Sequence, residues 1–297
     1  MPWRRRGCSW QVSELLQNLP TLLRLLHVSD LHFGVYSIAE QVERIEALIA
    51  GGRFDVVAVS GDLTQRARAR EYARALAFLE RADTKSRTIA VPGNHDVAWW
   101  RAPMHIGPRT WINAKWRRYL GREMEPVLRV PGAVFVGVNT AHGISRFTLT
   151  TRPRDLSVIG DLRDEQLERA ANVFAACAAG ERRVVVMHHN PVAGEISGRF
   201  GLKHAQYVLD RLAAMGADLV LCGHDHQEAV HVVEHTAGGI VVSIAGTITT
   251  RSRGGRPASL NAIEIGGDTI RVQTLVWDAA RHEFTSGADH SFTRSRP

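Results

Sequence analysis

Five short clusters of metal-binding side chains occur along the chain, most of them directly after an apolar run typical of a β-strand. The clusters are Asp30-Leu31-His32, Gly61-Asp62, Gly93-Asn94-His95-Asp96, His188-His189 and Gly223-His224-Asp225-His226. Ligands of α/β proteins bind at the carboxyl edge of the sheet, because the ends of its parallel strands meet there. We therefore predict that the five clusters form one site at the carboxyl edge of a sheet.

The clusters combine carboxylates, imidazoles and one amide, and they contain no cysteine. This donor set is typical of Mn²⁺, Fe or Zn²⁺ bound for catalysis, and not of a structural zinc held by thiolates. Asp30 and His32 are two residues apart, as are His224 and His226, so each pair points to one side of the chain at a strand end. Adjacent histidines face opposite ways on a strand, and we favour His188 over His189 as the ligand.

Seven side chains are thus candidate metal ligands, which is too many for one transition metal and suitable for two. They are Asp30, His32, Asp62, Asn94, His188, His224 and His226. Two metals about 3.5–4 Å apart can generate a hydroxide at neutral pH and bind the oxygens of an in-line displacement. Phosphate esters are the substrates that most need such help, because cations stabilise the charge on their transition state.

Length and composition favour one large α/β core. The chain has 297 residues, of which 44% are hydrophobic. No linker-like stretch divides it, and the clusters extend from residue 30 to residue 226. We predict a single domain over residues 21–297, preceded by a loose N-terminal arm over residues 1–20.

Net charge bears on whether the protein binds nucleic acid, and the cysteines and apolar runs bear on its cellular location. The net charge of +7 is compatible with a nucleic-acid partner. The arginines are scattered, however, so a solvated arginine-rich surface is favoured over a nucleic-acid surface. The three cysteines form no C-x-x-C pair, and no apolar run approaches the 18 residues of a membrane span. We expect a cytoplasmic protein without a transmembrane segment. The sequence is compatible with either a monomer or a homo-oligomer.

Strand and helix patterns alternate over the first part of the chain, whereas strand patterns alone fill the last part. Helical spacing of apolar residues occurs over 38–49, 68–82, 164–178 and 203–215. Near the end, Gly238-Gly239 and Gly266-Gly267-Asp268 separate pairs of β-type runs, which indicates hairpins. The pattern predicts an α/β fold in which mixed sheets are covered by helices.

The ordered blocks D-x-H, G-D, G-N-H-D, H and G-H-x-H resemble the calcineurin-like metallophosphoesterase superfamily over residues 22 to about 250. The resemblance implies a four-layer α-β-β-α sandwich of two mixed sheets and a dinuclear centre of Mn²⁺, Fe²⁺/Fe³⁺ or Zn²⁺. It also implies that Asp30, His32, Asp62 and His226 hold one metal, that Asp62 bridges, and that Asn94, His188 and His224 complete the second position.

The same resemblance assigns His95 and Asp96 to catalysis. In this family the histidine of the G-N-H-D block is not a ligand but faces the leaving-group oxygen, as general acid or charge stabiliser. Asp96 is expected to orient His95 as a neighbouring carboxylate would.

Gly61-Asp62-Leu63-Thr64, His188-His189-Asn190-Pro191 and Ala245-Gly246-Thr247 are most similar to the bacterial cyclic-nucleotide phosphodiesterase group. Asn190 departs from that group, which more often has proline there. The resemblance implies hydrolysis of small, cyclic-nucleotide-like phosphodiesters by in-line attack of a hydroxide that bridges the metals. The alternatives within the superfamily are a DNA or RNA nuclease, a pyrophosphohydrolase of lipid precursors and, less favoured, a non-catalytic scaffold.

Three loops are expected to overhang the metals and to contact the substrate. Residues 97–125 are rich in tryptophan and arginine, 142–158 are polar, and 191–204 contain Arg199 and Lys203. Aromatic faces suit stacking on a base, and guanidinium groups suit an anionic phosphate. The predicted substrate contacts are Trp99, Arg101, His142, Arg146 and His189.

Overall fold

Two β-sheets pack face to face at the centre of the fold in a computed structural model of the chain. The structure describes residues 22–98, 100–101, 106, 109–144, 158–236 and 239–293. Its strands are β1 (Leu23–Val28), β2 (Val56–Val59), β3 (Arg87–Ala90), β4 (Val127–Val130), β5 (Ala133–Gly137), β6 (Arg182–Val186), β7 (Leu219–Cys222), β8 (Ala229–Val233), β9 (Ile240–Ile244), β10 (Ser259–Gly266), β11 (Thr269–Asp278) and β12 (Glu283–Thr293). Its α-helices are α1 (Ala39–Ala50), α2 (Ala69–Asp83), α3 (Ala114–Leu120), α4 (Asp164–Ala175) and α5 (Ala205–Ala214).

Each sheet combines parallel and antiparallel strands. The first sheet has the order β12-β11-β10-β1-β2-β3, with β1, β2 and β3 parallel and β10, β11 and β12 antiparallel to their neighbours. The second has the order β4-β5-β6-β7-β9-β8, with four parallel strands between two antiparallel edge strands. The predicted α/β fold with two mixed sheets is confirmed.

Alternate residues of the central strands face different layers. Leu25 of β1 and Val184 of β6 are buried between the two sheets. Leu26 of β1 packs with residues of α1 and α2, whereas Val185 of β6 packs with residues of α4 and α5. Continuous apolar runs are typical of strands that are buried on both faces. The predicted four-layer α-β-β-α sandwich is therefore confirmed.

The edge strand β12 was not predicted from the sequence. It pairs with β11 over most of its length, yet most of its eleven residues are exposed. Its sequence, EFTSGADHSFT, is largely polar and shows no apolar alternation, because neither face is deeply buried. Hydrophobic periodicity can indicate only strands that bury at least one face.

The sequence also predicts an N-terminal arm, a single domain and the absence of a transmembrane segment. The predicted N-terminal arm, residues 1–20, lies outside the described residues, and the single domain over 21–297 stays a prediction. None of the helices within the described ranges combines the length and apolar character that crossing a membrane requires.

The tryptophan-rich segment 97–125 contributes Trp116, Leu120 and Met124 to the core layer that contains α1 and α2. Trp116 on α3 is fully buried, and its indole N–H donates to the carbonyl oxygen of Arg122 at 3.1 Å. It belongs to the cluster that includes Tyr72 and Leu79 of α2. Trp111, in contrast, is 52% exposed. Trp116 thus anchors the segment to α2.

We expect Trp116→Ala to lower the free energy of unfolding by about 3–5 kcal/mol, because it leaves a large cavity in a packed layer. Trp111→Ala is the matched control and should change it by less than about 0.5 kcal/mol. Urea denaturation followed by far-ultraviolet circular dichroism measures both variants. Equal effects of the two substitutions would contradict the anchoring role of Trp116.

Candidate metal centre

The five clusters lie at the carboxyl ends of neighbouring parallel strands. Asp30 and His32 follow β1, Asp62 follows β2, and a 3₁₀ turn over Asn94–Asp96 follows β3. In the second sheet, His188 follows β6, and the loop of His224 and His226 follows β7. Both sheets therefore contribute polar side chains to the same region, where these side chains form two neighbouring groups.

The first group consists of Asp30, His32, Asp62 and His226, whose potential ligand atoms lie within 4.8 Å of one another. His226 Nε2 is 3.1 Å from Asp30 Oδ1 and 3.0 Å from His32 Nε2. His32 Nε2 is 3.5 Å from Asp30 Oδ1 and 3.7 Å from Asp62 Oδ2. These are the four side chains that the family resemblance assigns to one metal.

The second group is formed around the imidazole of His188. Its Nε2 is 3.2 Å from Asn94 Oδ1, 3.3 Å from His224 Nδ1 and 3.4 Å from Asp62 Oδ2. Asp62 Oδ2 is therefore within 3.7 Å of an imidazole nitrogen in each group. This is the position that a bridging carboxylate requires.

His189 lies on the other side of the second group and is buried. Its Nδ1 is 2.7 Å from Thr140 Oγ1, and its ring is tilted against that of His224 at 4.6 Å between centroids. One ring nitrogen of His189 also lies close enough to ring nitrogens of His188 and His224 for the three to share a metal ion. Only 1% of His189 is exposed, and it packs behind His224. Its predicted role as a substrate contact stays a prediction.

Five of the seven candidate ligands have a left-handed backbone. The positive φ angles are 54° at Asp30, 41° at His32, 52° at Asp62, 74° at His224 and 57° at His226. Such conformations are uncommon outside glycine, and each one destabilises the chain by about 1–3 kcal/mol. Strained residues of this kind concentrate at functional sites, where the surrounding structure holds them in place.

Backbone carbonyls fix the orientation of two of the histidine rings. His188 Nδ1 lies 2.9 Å from the carbonyl oxygen of Ser60, and His226 Nδ1 lies 3.1 Å from that of Arg251. A carbonyl only accepts hydrogen bonds, so both Nδ1 atoms carry the proton. The lone pair of each ring is then on Nε2, which faces the group, as in histidines that bind metals.

The residues present fit a pair of transition-metal cations. Imidazole lone pairs and carboxylate oxygens converge without thiolates, the preference of Mn²⁺, Fe and Zn²⁺. The buried Oδ1 of Asp30 has no hydrogen-bond partner among the described residues, and it faces His32 and His226. A cation between these atoms would satisfy all three.

Electrostatics in the second group also favours a positive charge. Burial opposes ionisation of Asp62, but the neighbouring imidazoles, His188 first, hold its pKa well below the usual range. Burial lowers the pKa of His188, but the Asp62 carboxylate outweighs this effect and raises that pKa to about 9. A proton on His188 and a metal at this position therefore compete for the same electron pair.

His95 lies beside the first group without belonging to it. Its ring meets that of His32 edge-on at 4.8 Å between centroids. Its Nδ1–H donates to the carbonyl oxygen of Gln65 at 2.7 Å, and its backbone N–H donates to Asp62 Oδ1 at 2.8 Å. The His95 ring is thus oriented by the backbone carbonyl of Gln65.

Asp96 has a different role from the one expected. Its carboxylate accepts hydrogen bonds from the backbone N–H groups of Leu63, Thr64 and Gly93 and from Thr64 Oγ1, at 2.7–3.1 Å. Asp96 therefore joins the loop after β3 to the loop after β2, and the expectation that it orients the His95 ring is corrected. Hydrogen bonds to an ionised carboxylate are stronger than those between neutral groups, which suits a link between two loops.

Of the four remaining predicted substrate contacts, two lie within the described residues and two lie outside them. Trp99 and Arg146 lie outside the described residues. Arg101 is exposed, and its backbone N–H donates to the carbonyl oxygen of Ala98 at 2.8 Å. His142 is half-buried, with Nε2 3.2 Å from Gln166 Oε1.

A buried polar chain beneath the centre was missed in the sequence. His27 joins the two sheets, with Nε2 2.9 Å from Ser60 Oγ and Nδ1 3.3 Å from Ser243 Oγ. Burial lowers the pKa of His27 to about 3, so the ring is neutral. Ser60, in turn, orients His188 through its carbonyl oxygen. The available signal was a histidine inside the apolar run of β1, since a buried polar side chain needs partners.

Comparison with known proteins identifies the family. Residues 23–228, most of the chain, match the calcineurin-like phosphoesterase family model. The chain therefore belongs to the calcineurin-like phosphoesterase family. No curated protein matches the sequence closely enough to serve as a relative.

Two solved structures illustrate the fold. Purple acid phosphatase PPD1 from yellow lupin (Lupinus luteus) seeds superposes with a TM-score of 0.65 at 10% identity, covering 92% of this chain and 54% of the lupin chain. GAP50, the anchor in the inner membrane complex of Plasmodium, gives a TM-score of 0.57 at 13% identity, covering 93% and 90%. The chain thus spans about half the length of the lupin phosphatase, and identities this low show similarity of fold alone.

The left-handed backbone gives a prediction at His226, tested in chelator-treated protein. His226→Gly and His226→Ala remove the same side chain, but only glycine adopts a positive φ without strain. We expect the glycine variant to be more stable than the alanine variant by about 1 kcal/mol in urea denaturation.

His231 on β8 is the control, because strand backbone favours alanine over glycine by about 0.5–1 kcal/mol. The order of the two variants should therefore reverse there. The same order at both positions would show that the backbone of His226 is not strained.

Proposed function

We propose that the protein is a dinuclear metal-dependent phosphoesterase that hydrolyses phosphodiesters. The observation that carries this proposal is the position of Asp62 Oδ2, which lies 3.7 Å from His32 Nε2 and 3.4 Å from His188 Nε2. One carboxylate oxygen between two imidazole-containing groups is the arrangement needed for two cations at adjacent positions. Membership of the phosphoesterase family supports the same reading.

The residues around Asp62 divide into two ligand sets under this proposal. Asp30, His32 and His226 would hold one cation, whereas Asn94, His188 and His224 would hold the other, with Asp62 between them. When bound, two cations supply an activated water and bind the phosphate oxygens. The protein contributes preformed geometry, because backbone carbonyls orient the rings of His188 and His226 before a cation arrives.

His95 is the proposed proton donor to the leaving group. The Gln65 carbonyl fixes the Nδ1 side of its ring, and the ring lies against His32. Nε2 is consequently the atom that can face an ester oxygen bound at the first group. A proton held there would pass to the leaving oxygen as the bond to phosphorus breaks, which prevents release of an unstable alkoxide.

We expect His95→Ala to retain both metals and the fold while kcat falls by roughly 10²–10⁴-fold, the usual contribution of general acid catalysis. Asp62→Asn should instead empty at least one metal position, because it removes the shared charge. Elemental analysis and phosphodiester hydrolysis with saturating Mn²⁺ measure both effects.

The exposed His282, which pairs with Glu40, provides the control. His282→Ala should leave metal content and kcat unchanged. Loss of both metals in His95→Ala would mean that His95 is a ligand, and only one bound metal in the unmodified protein would contradict the dinuclear centre.

The proposed substrate class is a small phosphodiester, with a nucleotide favoured. Arg199, Phe200 and Arg253 border the centre next to His224 and offer guanidinium groups and an aromatic face. We expect the metal-loaded protein to hydrolyse a nucleotide phosphodiester faster than its matched monoester, because only the diester carries a second ester group that can contact these side chains.

A panel of cyclic nucleotides, nitrophenyl diesters, matched monoesters and single-stranded DNA tests this substrate class. Faster turnover of the monoester would contradict the phosphodiesterase assignment but leave the metal centre standing. Preference for single-stranded DNA over every small ester would favour a nuclease instead.

A further inference from the structure

A cavity adjoins the second group of the metal centre. Its volume is about 340 Å³, within the usual range of small-molecule sites. His224 lines it on the side of the centre, and the other lining residues include Val158, Arg199, Phe200 and Arg253. A molecule bound at the candidate metals can therefore extend into this cavity without leaving the protein surface.

Arg253 is held at the cavity by the same loop that carries two candidate ligands. Asp225 lies between His224 and His226 in the chain. The Nε–H of Arg253 donates to the backbone carbonyl of Asp225 at 2.6 Å and lies 3.2 Å from its carboxylate. The side chain of Arg253 is nevertheless 43% exposed. A guanidinium that is fixed through Nε and open at its outer face can bind a ligand with little loss of freedom.

The loop after β6 presents an aromatic ring at the same cavity. Phe200 is 56% exposed although it adjoins buried residues. Its loop is fixed, since the N–H of Gly201 donates to the carbonyl of Asn190 at 3.1 Å and that of Gly194 donates to the carbonyl of Arg199 at 3.0 Å. A rigid, exposed aromatic face beside a cavity suits stacking on a planar ring.

The position of His95 indicates which part of a substrate would enter the cavity. His95 adjoins His32 in the first group, whereas the cavity adjoins His224 in the second. In an in-line displacement the leaving group lies toward its proton donor. The ester group that stays on phosphorus is then the one directed to His224.

We propose that the cavity binds the ester group retained on the phosphate, that this group is a nucleoside, and that Phe200 and Arg253 select it. The inference rests on the proposed phosphodiesterase function and adds the identity of the retained group. Phe200 stacks on the base, and Arg253 donates hydrogen bonds to acceptor atoms of the base or sugar. Both are specificity-determining residues and neither takes part in bond breaking.

Two substrates with a common leaving group test the proposal in metal-loaded protein. Thymidine 5′-(p-nitrophenyl phosphate) and methyl p-nitrophenyl phosphate both release p-nitrophenolate, and they differ only in the retained group. We expect kcat/KM to be higher for the thymidine ester by roughly five- to 100-fold, the range of one base–aromatic contact. Phe200→Ala should remove most of this preference, and Arg253→Ala should reduce it, in each case by raising KM for the thymidine ester alone.

Arg256→Ala is the matched control for Arg253→Ala. Arg256 has a similar exposure of 38% and pairs with Glu228 at 3.2 Å, but it does not line the cavity. Its loss should leave both esters unaffected. Phe200→Leu keeps an apolar side chain without a ring, so it should behave like Phe200→Ala if stacking is the cause. Metal content and methyl ester turnover report whether a variant has disturbed the centre.

Binding of thymidine 5′-monophosphate by calorimetry separates this inference from the proposed function. Binding that weakens in Phe200→Ala, in a protein that hydrolyses neither ester, would support the cavity and overturn the phosphodiesterase function. Hydrolysis of both esters with a ratio that Phe200 and Arg253 do not change would overturn the cavity assignment alone. If the protein neither binds thymidine 5′-monophosphate nor hydrolyses either ester, both the cavity assignment and the phosphodiesterase function are overturned.

Discussion

The burial of two carboxylates among imidazoles, where the two sheets meet, is the constraint on which the rest of the structure depends. Asp30 and Asp62 are almost fully buried, and an unpaired ion in such a place destabilises a fold by several kcal/mol. Both come from the first sheet, whereas His188, His224 and His226 come from the second. Compensation of the charge therefore requires that the sheets pack together, so the metal centre and the interface between the sheets form as one unit.

Close backbone approach is the second requirement of this unit. A Cβ on Gly93 would collide with Asp62, and one on Gly223 would collide with Ser29 and Asp30. Glycine at these two positions lets the loops after β2 and β3, and those after β1 and β7, approach within contact distance. The left-handed residues of the same loops are strained, and the apolar layers on both sides of each sheet supply the stability that holds them.

The fold, and the convergence of the candidate ligands at one place, could be predicted because their signals are local. Apolar runs end at polar clusters, and β-sheet geometry brings strand ends together. The choice of His188 over His189 as a ligand rested on the family resemblance and on the fact that adjacent strand residues face opposite ways. Only the three-dimensional structure shows what His189 contacts. The partners of Asp96 could not be predicted, because they are backbone amides of a loop about 30 residues away. β12 carries no signal because most of its residues are exposed.

Substrate recognition is harder to infer from sequence than metal binding, for a physical reason. Ligands must follow strands in short turns, so their spacing is constrained, whereas the cavity walls come from longer loops whose contacts are set in three dimensions. Asp225 shows how the two are joined: its neighbours are candidate ligands, and its own carbonyl and carboxylate hold Arg253, 28 residues later in the chain. If Arg253 contacts the substrate as proposed, a change in the loop after β9 would alter selectivity without moving a candidate ligand, so that one arrangement of ligands could serve different phosphoesters.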